Sequence, residues 1–199
     1  MGGRGSYSGK STSTKANSSV NTSKQSEHLG MMGYNELKAR YTELGVSDPE
    51  GALVAVNHYT GSGYKAMRRG KYQDEVKLID EVIDKQPKWD GTIYRGMAVK
   101  KSFVDNLKSS IGDTIELSPN SPTSFSSNRN VARNFAHSGG EGESVVLKMK
   151  NKRGSSIAHN SNFSSESEVL HKSGEKYTIK SVNFDKSTNT YVVELEDHE

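Results

Sequence analysis

The period of the apolar residues changes once along this chain, near Trp89, and that change restricts the fold more than any other feature. From residue 34 to 86 the spacing is helical. A helix is read over 34–44 and closed by Gly45, and Asp48-Pro49 then supplies an N-cap and a first-turn proline for a second. Two more helices are read over 61–69 and 74–86, the latter carrying Val76, Ile79, Val82 and Ile83 as one stripe. From Thr92 onward strands dominate: 92–97, 144–149, 176–184 and 190–196, the last two joined by a turn around 185–189. Helices first and strands after predict an α+β fold. Trp89, the single tryptophan, stands just ahead of the first strand and is read as core.

Composition divides the chain again. Sixteen of the first 30 residues are Ser, Thr or Gly, and scarcely any is large and apolar. Such a segment cannot bury enough surface to offset its chain entropy, so residues 1–30 are expected to be a disordered tail and 31–199 a single domain. The tail holds Arg4, Lys10, Lys15 and Lys24 against Glu27, a net of +3 that equals the whole chain's +3, so 31–199 is formally neutral. The tail reads as a solubilising or assembly arm, with a weak electrostatic handle for nucleic acid or an acidic protein as the other reading. With no cysteine, disulfides are excluded. Neither an apolar run of membrane-spanning length nor a hydrophobic stretch behind the N-terminal basic residues is present, so no membrane partner and no secretory signal is expected. The six histidines lack metal-ligand spacing, so no metal is expected, and His159 and His171 read as ordinary polar surface.

Three short segments carry chemistry. In Phe163-Ser164-Ser165-Glu166-Ser167-Glu168, two glutamates stand one residue apart. If 166–171 is extended, both carboxylates project on one face, a costly arrangement unless a cation or substrate uses it. Alone, such a pair is more often solvated surface. Thr92-Ile93-Tyr94-Arg95-Gly96-Met97 places one Arg among apolar neighbours, where its planar fork suits phosphate or carboxylate. Pro122-Thr123-Ser124-Phe125-Ser126-Ser127-Asn128 reads as a hydroxyl-lined strand entering a helix capped by Asn128. Alone, the first of these two is more often a plain strand and the second a turn.

In the order Arg, Ser, Glu-x-Glu, these segments resemble the mono-ADP-ribosyltransferases of the bacterial exotoxin type, in the arginine-modifying branch with an Arg, Ser-Thr-Ser and Glu-x-Glu signature. Tyr94-Arg95-Gly96 is similar to the Arg motif, Ser124-Phe125-Ser126 falls at Ser-Thr-Ser, and Val131, Ala132 and Phe135 follow at the family's distances. Tyr59-Thr60-Gly61-Ser62-Gly63-Tyr64 resembles the opening helical region, and Phe163 stands where the substrate loop carries an aromatic. The resemblance runs from about residue 34 to the C-terminus. There are departures: Phe125 replaces the central Thr, Arg68 stands where relatives often carry Asn, and no extra Arg follows Phe135. Gly2-Gly3-Arg4-Gly5 also faintly resembles the starts of bacteriophage minor structural proteins.

The resemblance implies two packed, mostly antiparallel sheets with NAD, as co-substrate, in the cleft between them. It implies Glu168 on the ribose hydroxyl, Ser124 fixing Glu168, Arg95 on the diphosphate, and Gly96 leaving backbone free for the nicotinamide amide. Tyr59 and Tyr94 would belong to the NAD site, Phe135 would pack on the nicotinamide ring, and Glu166 with Phe163 would meet a target protein presenting an arginine. A monomer is expected, acting in a bacterial host's cytoplasm or exported by a non-classical route. Two other functions stay open: an NAD glycohydrolase using water as acceptor, and a catalytically silent phage structural protein.

Overall fold

The computed structural model describes residues 24–198. Helix α1 (Tyr34–Glu43) buries Leu37 and Tyr41. Helix α2 (Pro49–His58) starts as the sequence predicts, with Asp48 Oδ1 accepting from the Gly51 amide at 3.0 Å. A π turn, Tyr59–Gly63, then leads into α3 (Tyr64–Arg68), where a plain helix over 61–69 is predicted. Helix α4 (Gln73–Lys85) buries the predicted stripe of Val76, Ile79, Val82 and Ile83.

Strand β1 (Thr92–Val99) opens the second half. It is followed by α5 (Lys101–Ser109), a helix that the strand-dominated reading omits and that buries Val104 and Leu107. Then come β2 (Thr114–Glu116), β3 (Thr123–Ser126), α6 (Arg129–Ser138), β4 (Glu143–Lys150), β5 (Ser155–Ser156), β6 (Glu168–His171), β7 (Lys176–Asp185) and β8 (Thr190–Asp197). Asn128 caps α6 by accepting from the Asn130 amide at 2.9 Å. The strands lie in the order β2-β7-β8-β4-β1-β3-β6-β5, antiparallel except for β4 with β8.

One joint in this sheet is weak. Strands β1 and β4 pair along all eight residues from Thr92 to Val99, whereas β1 and β3 share the single pair Tyr94 with Ser126. Across that seam the two halves face each other: Phe125 of β3 and Val169 of β6 share one core with Leu147, Tyr177, Ile179 and Val193. The two packed sheets implied by the resemblance are thus one continuous ladder, folded at β1–β3. Side chains alternate along a strand, so Ser124 and Ser126 point away from the Phe125 core. On that opposite face, Leu170 packs with Val56, Tyr59, Ile79 and Ile83 of the helical layer.

Residues 1–23 of the expected tail lie outside the described residues. The boundary expected at residue 30 moves, because the segment before it lies against the body. Gln25 bridges to Trp89 and accepts from the Asp90 amide at 2.6 Å. The His28 ring stacks on Trp89 at 4.1 Å, and its two nitrogens meet Ser156 Oγ at 2.6 Å and Ser127 Oγ at 2.7 Å. An aromatic plane and two hydroxyls fixed elsewhere in the fold supply what this polar segment lacks by itself. No helix among the described residues is long and apolar enough to cross a membrane.

The reading of His159 and His171 as surface is also corrected: they are 1% and 0% exposed. Neither ring nitrogen of His159 has a hydrogen-bond partner among the described residues, and burial pushes its pKa down to about 3. His171 ends β6 on the core face and meets Glu175 at 2.8 Å and Asn151 Oδ1 at 2.6 Å. Its neighbours Glu175 and Asp197 offer further carboxylates close by, but the cation among them is Arg153, whose Nε donates to Asp197 at 2.6 Å. Asp197 also accepts from the amides of Lys152 and Arg153. Asp197→Ala should therefore cost about 3 kcal/mol, since it removes the acceptor of the Arg153 Nε and of two amides, although the guanidinium keeps the Lys176 carbonyl and Glu175. Urea unfolding measures this, and a loss near zero would contradict it.

Candidate active site

The seam brings the chemical segments together. In β1, alternate residues take opposite faces, so Arg95 projects away from its neighbours Tyr94 and Gly96. Tyr94 packs with Ala132, Ala136 and Val146 under α6. Gly96 is the point where α6 crosses the strand: a Cβ there would stand 1.6 Å from the Ala132 carbonyl oxygen. The structure therefore gives Gly96 a packing reason, one that sequence reasoning did not anticipate. On the other face, Arg95 Nη1 donates to the Ser124 carbonyl at 2.6 Å. Its Nε is buried and has no partner among the described residues. Burial, followed by the nearby charge of Arg68, lowers the Arg95 pKa.

Glu168 is the first residue of β6 and sits opposite Ser126, with Ser124 opposite Leu170. Only 6% of it is exposed. Burial raises its pKa to about 7, and the charge of Glu166 adds to that, while the hydroxyls of Ser124 and Ser161 and the charge of Arg95 pull it back down. Ser161 Oγ donates to Glu168 Oε2 at 3.3 Å and accepts from the Phe163 amide at 3.1 Å. Sequence spacing held no signal for Ser161, which reaches Glu168 only because the chain doubles back through a turn.

The expectation that 166–171 is extended is corrected. Ser164–Glu166 is a 3₁₀ turn, Ser167 is left-handed with φ 51°, and the strand begins at Glu168. Glu166 and Glu168 therefore do not alternate along one strand. The half-buried Glu166 rides on the turn above Glu168, and burial raises its pKa. Ser126 holds that turn, its hydroxyl donating to the Glu166 carbonyl at 2.6 Å. Phe125, the departure from Ser-Thr-Ser, is 2% exposed and turned into the core beside Tyr177, so it leaves the hydroxyl face intact.

The remaining predicted residues divide. Tyr59, in the π turn, is buried, donates to the Pro122 carbonyl at 2.9 Å and feels the charges of Glu168 and Arg95. Its pKa is raised, chiefly by burial. Arg68, at the end of α3, lies over the Tyr64 ring at 5.2 Å and adds an exposed cation near the part-buried Arg95. Phe135 on α6 and Phe163 before the turn are about half exposed, at 49% and 53%. The structure thus gathers Tyr59, Arg95, Ser124, Glu166 and Glu168, leaves Phe135 and Phe163 on the surface, and turns Tyr94 and Gly96 to the α6 side. A buried carboxylate with its pKa raised to about 7, as at Glu168, is chemically able to act as a base or to stabilise positive charge, and the Arg68 and Arg95 guanidiniums suit an anion.

No protein-family model and no curated protein matches the chain. Solved structures do. The ADP-ribosyltransferase Vis from Vibrio splendidus, in its complex with agmatine, superimposes with a TM-score of 0.61 at 21% identity, covering 86% of this chain and 88% of Vis. The ADP-ribosyltransferase HopU1 of Pseudomonas syringae gives 0.65 at 16% identity, covering 82% and 83%. Exoenzyme S of Pseudomonas aeruginosa, bound to carba-NAD and a human 14-3-3 protein, gives 0.56 at 15% identity, covering 82% of each chain. At these identities the likeness speaks for the backbone, and the chain has the ADP-ribosyltransferase fold.

Proposed function

We propose that the chain is an NAD-dependent protein mono-ADP-ribosyltransferase that transfers ADP-ribose to arginine side chains and releases nicotinamide. The observation that carries this reading is the buried Glu168 carboxylate. Burial lifts its pKa to about 7 against the opposing pull of two serine hydroxyls, and it lies across one seam from the unpartnered Nε of Arg95. When the bond between nicotinamide and ribose breaks, its electron pair leaves with nicotinamide and positive charge develops on the ribose. A carboxylate fixed in a dry site stabilises that charge more in the transition state than before it. Ser124 and Ser161 set the Glu168 rotamer, and Arg95 with Arg68 receives the diphosphate. Tyr59 walls the site, and Phe135, being exposed, is free to cover the nicotinamide ring. Gly96 and Tyr94 act through α6 packing, which holds Arg95 in place.

Arginine as acceptor rests on Glu166 and on the guanidino compound held by a protein of the same fold, since Vis binds agmatine. The half-buried Glu166 carboxylate pairs with a guanidinium and takes the proton released as its nitrogen attacks the ribose, while Phe163 seats the target protein. Purified protein with labelled NAD and agmatine tests the whole reading. Transfer of label with nicotinamide release is expected. Release without transfer would leave a glycohydrolase, and no turnover at all would leave a silent fold.

Glu166→Gln should separate the two halves of the reaction. Transfer to agmatine is expected to fall roughly a hundredfold, with NAD cleavage within a few-fold of wild type, because the ribose charge meets Glu168 and not Glu166. Nicotinamide release and label transfer are measured side by side on the variant. Equal loss of both would assign Glu166 to the cleavage step instead.

A further inference from the structure

We infer that α6 closes a second binding site, for a phosphate group, on the flank facing away from Phe135. This inference does not rest on the proposed activity. On a helix, residues four apart stand one above the other. Val131 and Phe135 therefore form one flank of α6, and Arg129, Arg133 and His137 form the other, with Ala132 and Ala136 buried on the sheet between them. The Arg flank is fixed over β4 and β8: His137 Nε2 lies 3.1 Å from Thr190 Oγ1, and its Nδ1 lies 3.1 Å from Ser144 Oγ.

Beneath this flank is a cavity of about 220 Å³. Arg129, Arg133, Lys148 and Tyr94 line it, together with the hydroxyl-bearing Thr188 and Thr190 and the apolar Val146 and Val192. It lies on the face of β1 opposite Arg95 and is separate from the Glu168 site.

The charge here is locally unbalanced. Lys148 pairs with Glu194 at 2.9 Å, but neither arginine has an acidic partner among the described residues, and Arg133 Nε is buried with no hydrogen bond. Asp185, the other carboxylate nearby, is engaged by Ser187 and Thr188. Two like charges four residues apart repel, and Arg129 opens a helix with no acid in its first turn, where the backbone dipole already disfavours a cation. General basicity does not account for this, because residues 31–199 hold 23 basic and 23 acidic side chains. An anion resolves all three costs together. Two guanidinium forks, an ammonium and the Tyr94 hydroxyl offer more donors than a carboxylate can accept, and they suit the oxygens of a phosphate.

The test is an amide-resolved NMR titration of the full chain with inorganic phosphate and, separately, with AMP, at constant ionic strength. Saturable shifts centred on Thr188, Thr190 and Val192 are expected with both. Tighter binding of AMP would identify the source as a nucleotide, and equal binding would identify the phosphate group alone. The double variant Arg129→Gln/Arg133→Gln should weaken both by roughly tenfold or more, and Arg133→Lys should fall between it and the wild type, because the charge is kept and the fork is lost. Phosphate should raise the thermal midpoint of the wild type and not that of the double variant, which checks folding at the same time. Shifts that grow linearly without saturating, shifts confined to the neighbourhood of Arg95 and Ser124, or undiminished binding by the double variant would each overturn the inference.

Discussion

Glu168→Gln is expected to abolish nicotinamide release while making the protein harder to unfold at pH 8. The rate should fall by roughly a hundredfold or more, because the one charge set against the developing ribose cation is removed while shape is kept. Stability moves the other way. Burial raises the folded pKa of Glu168 from 4.5 to about 7, so between those values the folded protein binds a proton that the unfolded chain has lost. Stability therefore falls as pH rises from 4.5 towards 7 and stays reduced above it, by about 3 kcal/mol from this group alone. Gln carries no charge and escapes that cost, and the hydroxyls of Ser124 and Ser161 can turn to serve an amide. Urea unfolding of both proteins at pH 5 and pH 8, beside a nicotinamide-release assay, reads both effects. The variant should gain at pH 8 and scarcely differ at pH 5. A variant that turns over NAD normally, or is less stable at pH 8, would sink the assignment. The same titration predicts that wild-type NAD cleavage weakens as pH drops below about 7, where the carboxylate takes up its proton.

Gly96→Ala is the second large effect. The added methyl would lie 1.6 Å from the Ala132 oxygen and 2.7 Å from both the Ala132 carbonyl carbon and the Ala136 nitrogen. These are backbone atoms of α6, so no side-chain rotation relieves the clash. To restore ordinary contact the helix must withdraw by on the order of 2 Å. That movement opens the Tyr94–Ala132–Ala136–Val146 cluster and pulls on the single Tyr94–Ser126 pair that joins the two halves of the sheet. A loss of at least about 3 kcal/mol is expected, with Arg95 displaced from Ser124 and activity lost in proportion. Gly33→Ala is the control: nothing lies within 4 Å of the new carbon there, and its backbone φ of −75° suits any residue. Equal stability of the two alanine variants in urea would refute the crossing.

Much of the fold was legible because local patterns carry it. The stripe from Val76 to Ile83, the Asp48 and Asn128 caps and the paired strands β7 and β8 are properties of neighbours in sequence, set by helical period, capping geometry and alternation. Helix α5 was missed because nine residues with two buried side chains make a weak period between two strands. Arg95, Ser124, Glu166 and Glu168 could be named as candidates from the chain alone, since their residue types and order are distinctive. Their geometry could not. An alternating strand was expected to align the two glutamates, but the left-handed Ser167 breaks it, and Ser126 holds Glu166 on the resulting turn.

The sequence by itself determined the α+β order, the helix starts and the residue types available for chemistry, because each of these depends on contacts within a few residues. The fold alone decided which groups lost water. Distant segments bury His159, His171 and Glu168, which lifts the Glu168 pKa to about 7, and an irregular turn folds Ser161 back onto that carboxylate seven residues away. Desolvation depends on what the rest of the chain places around a group, and no local pattern encodes that.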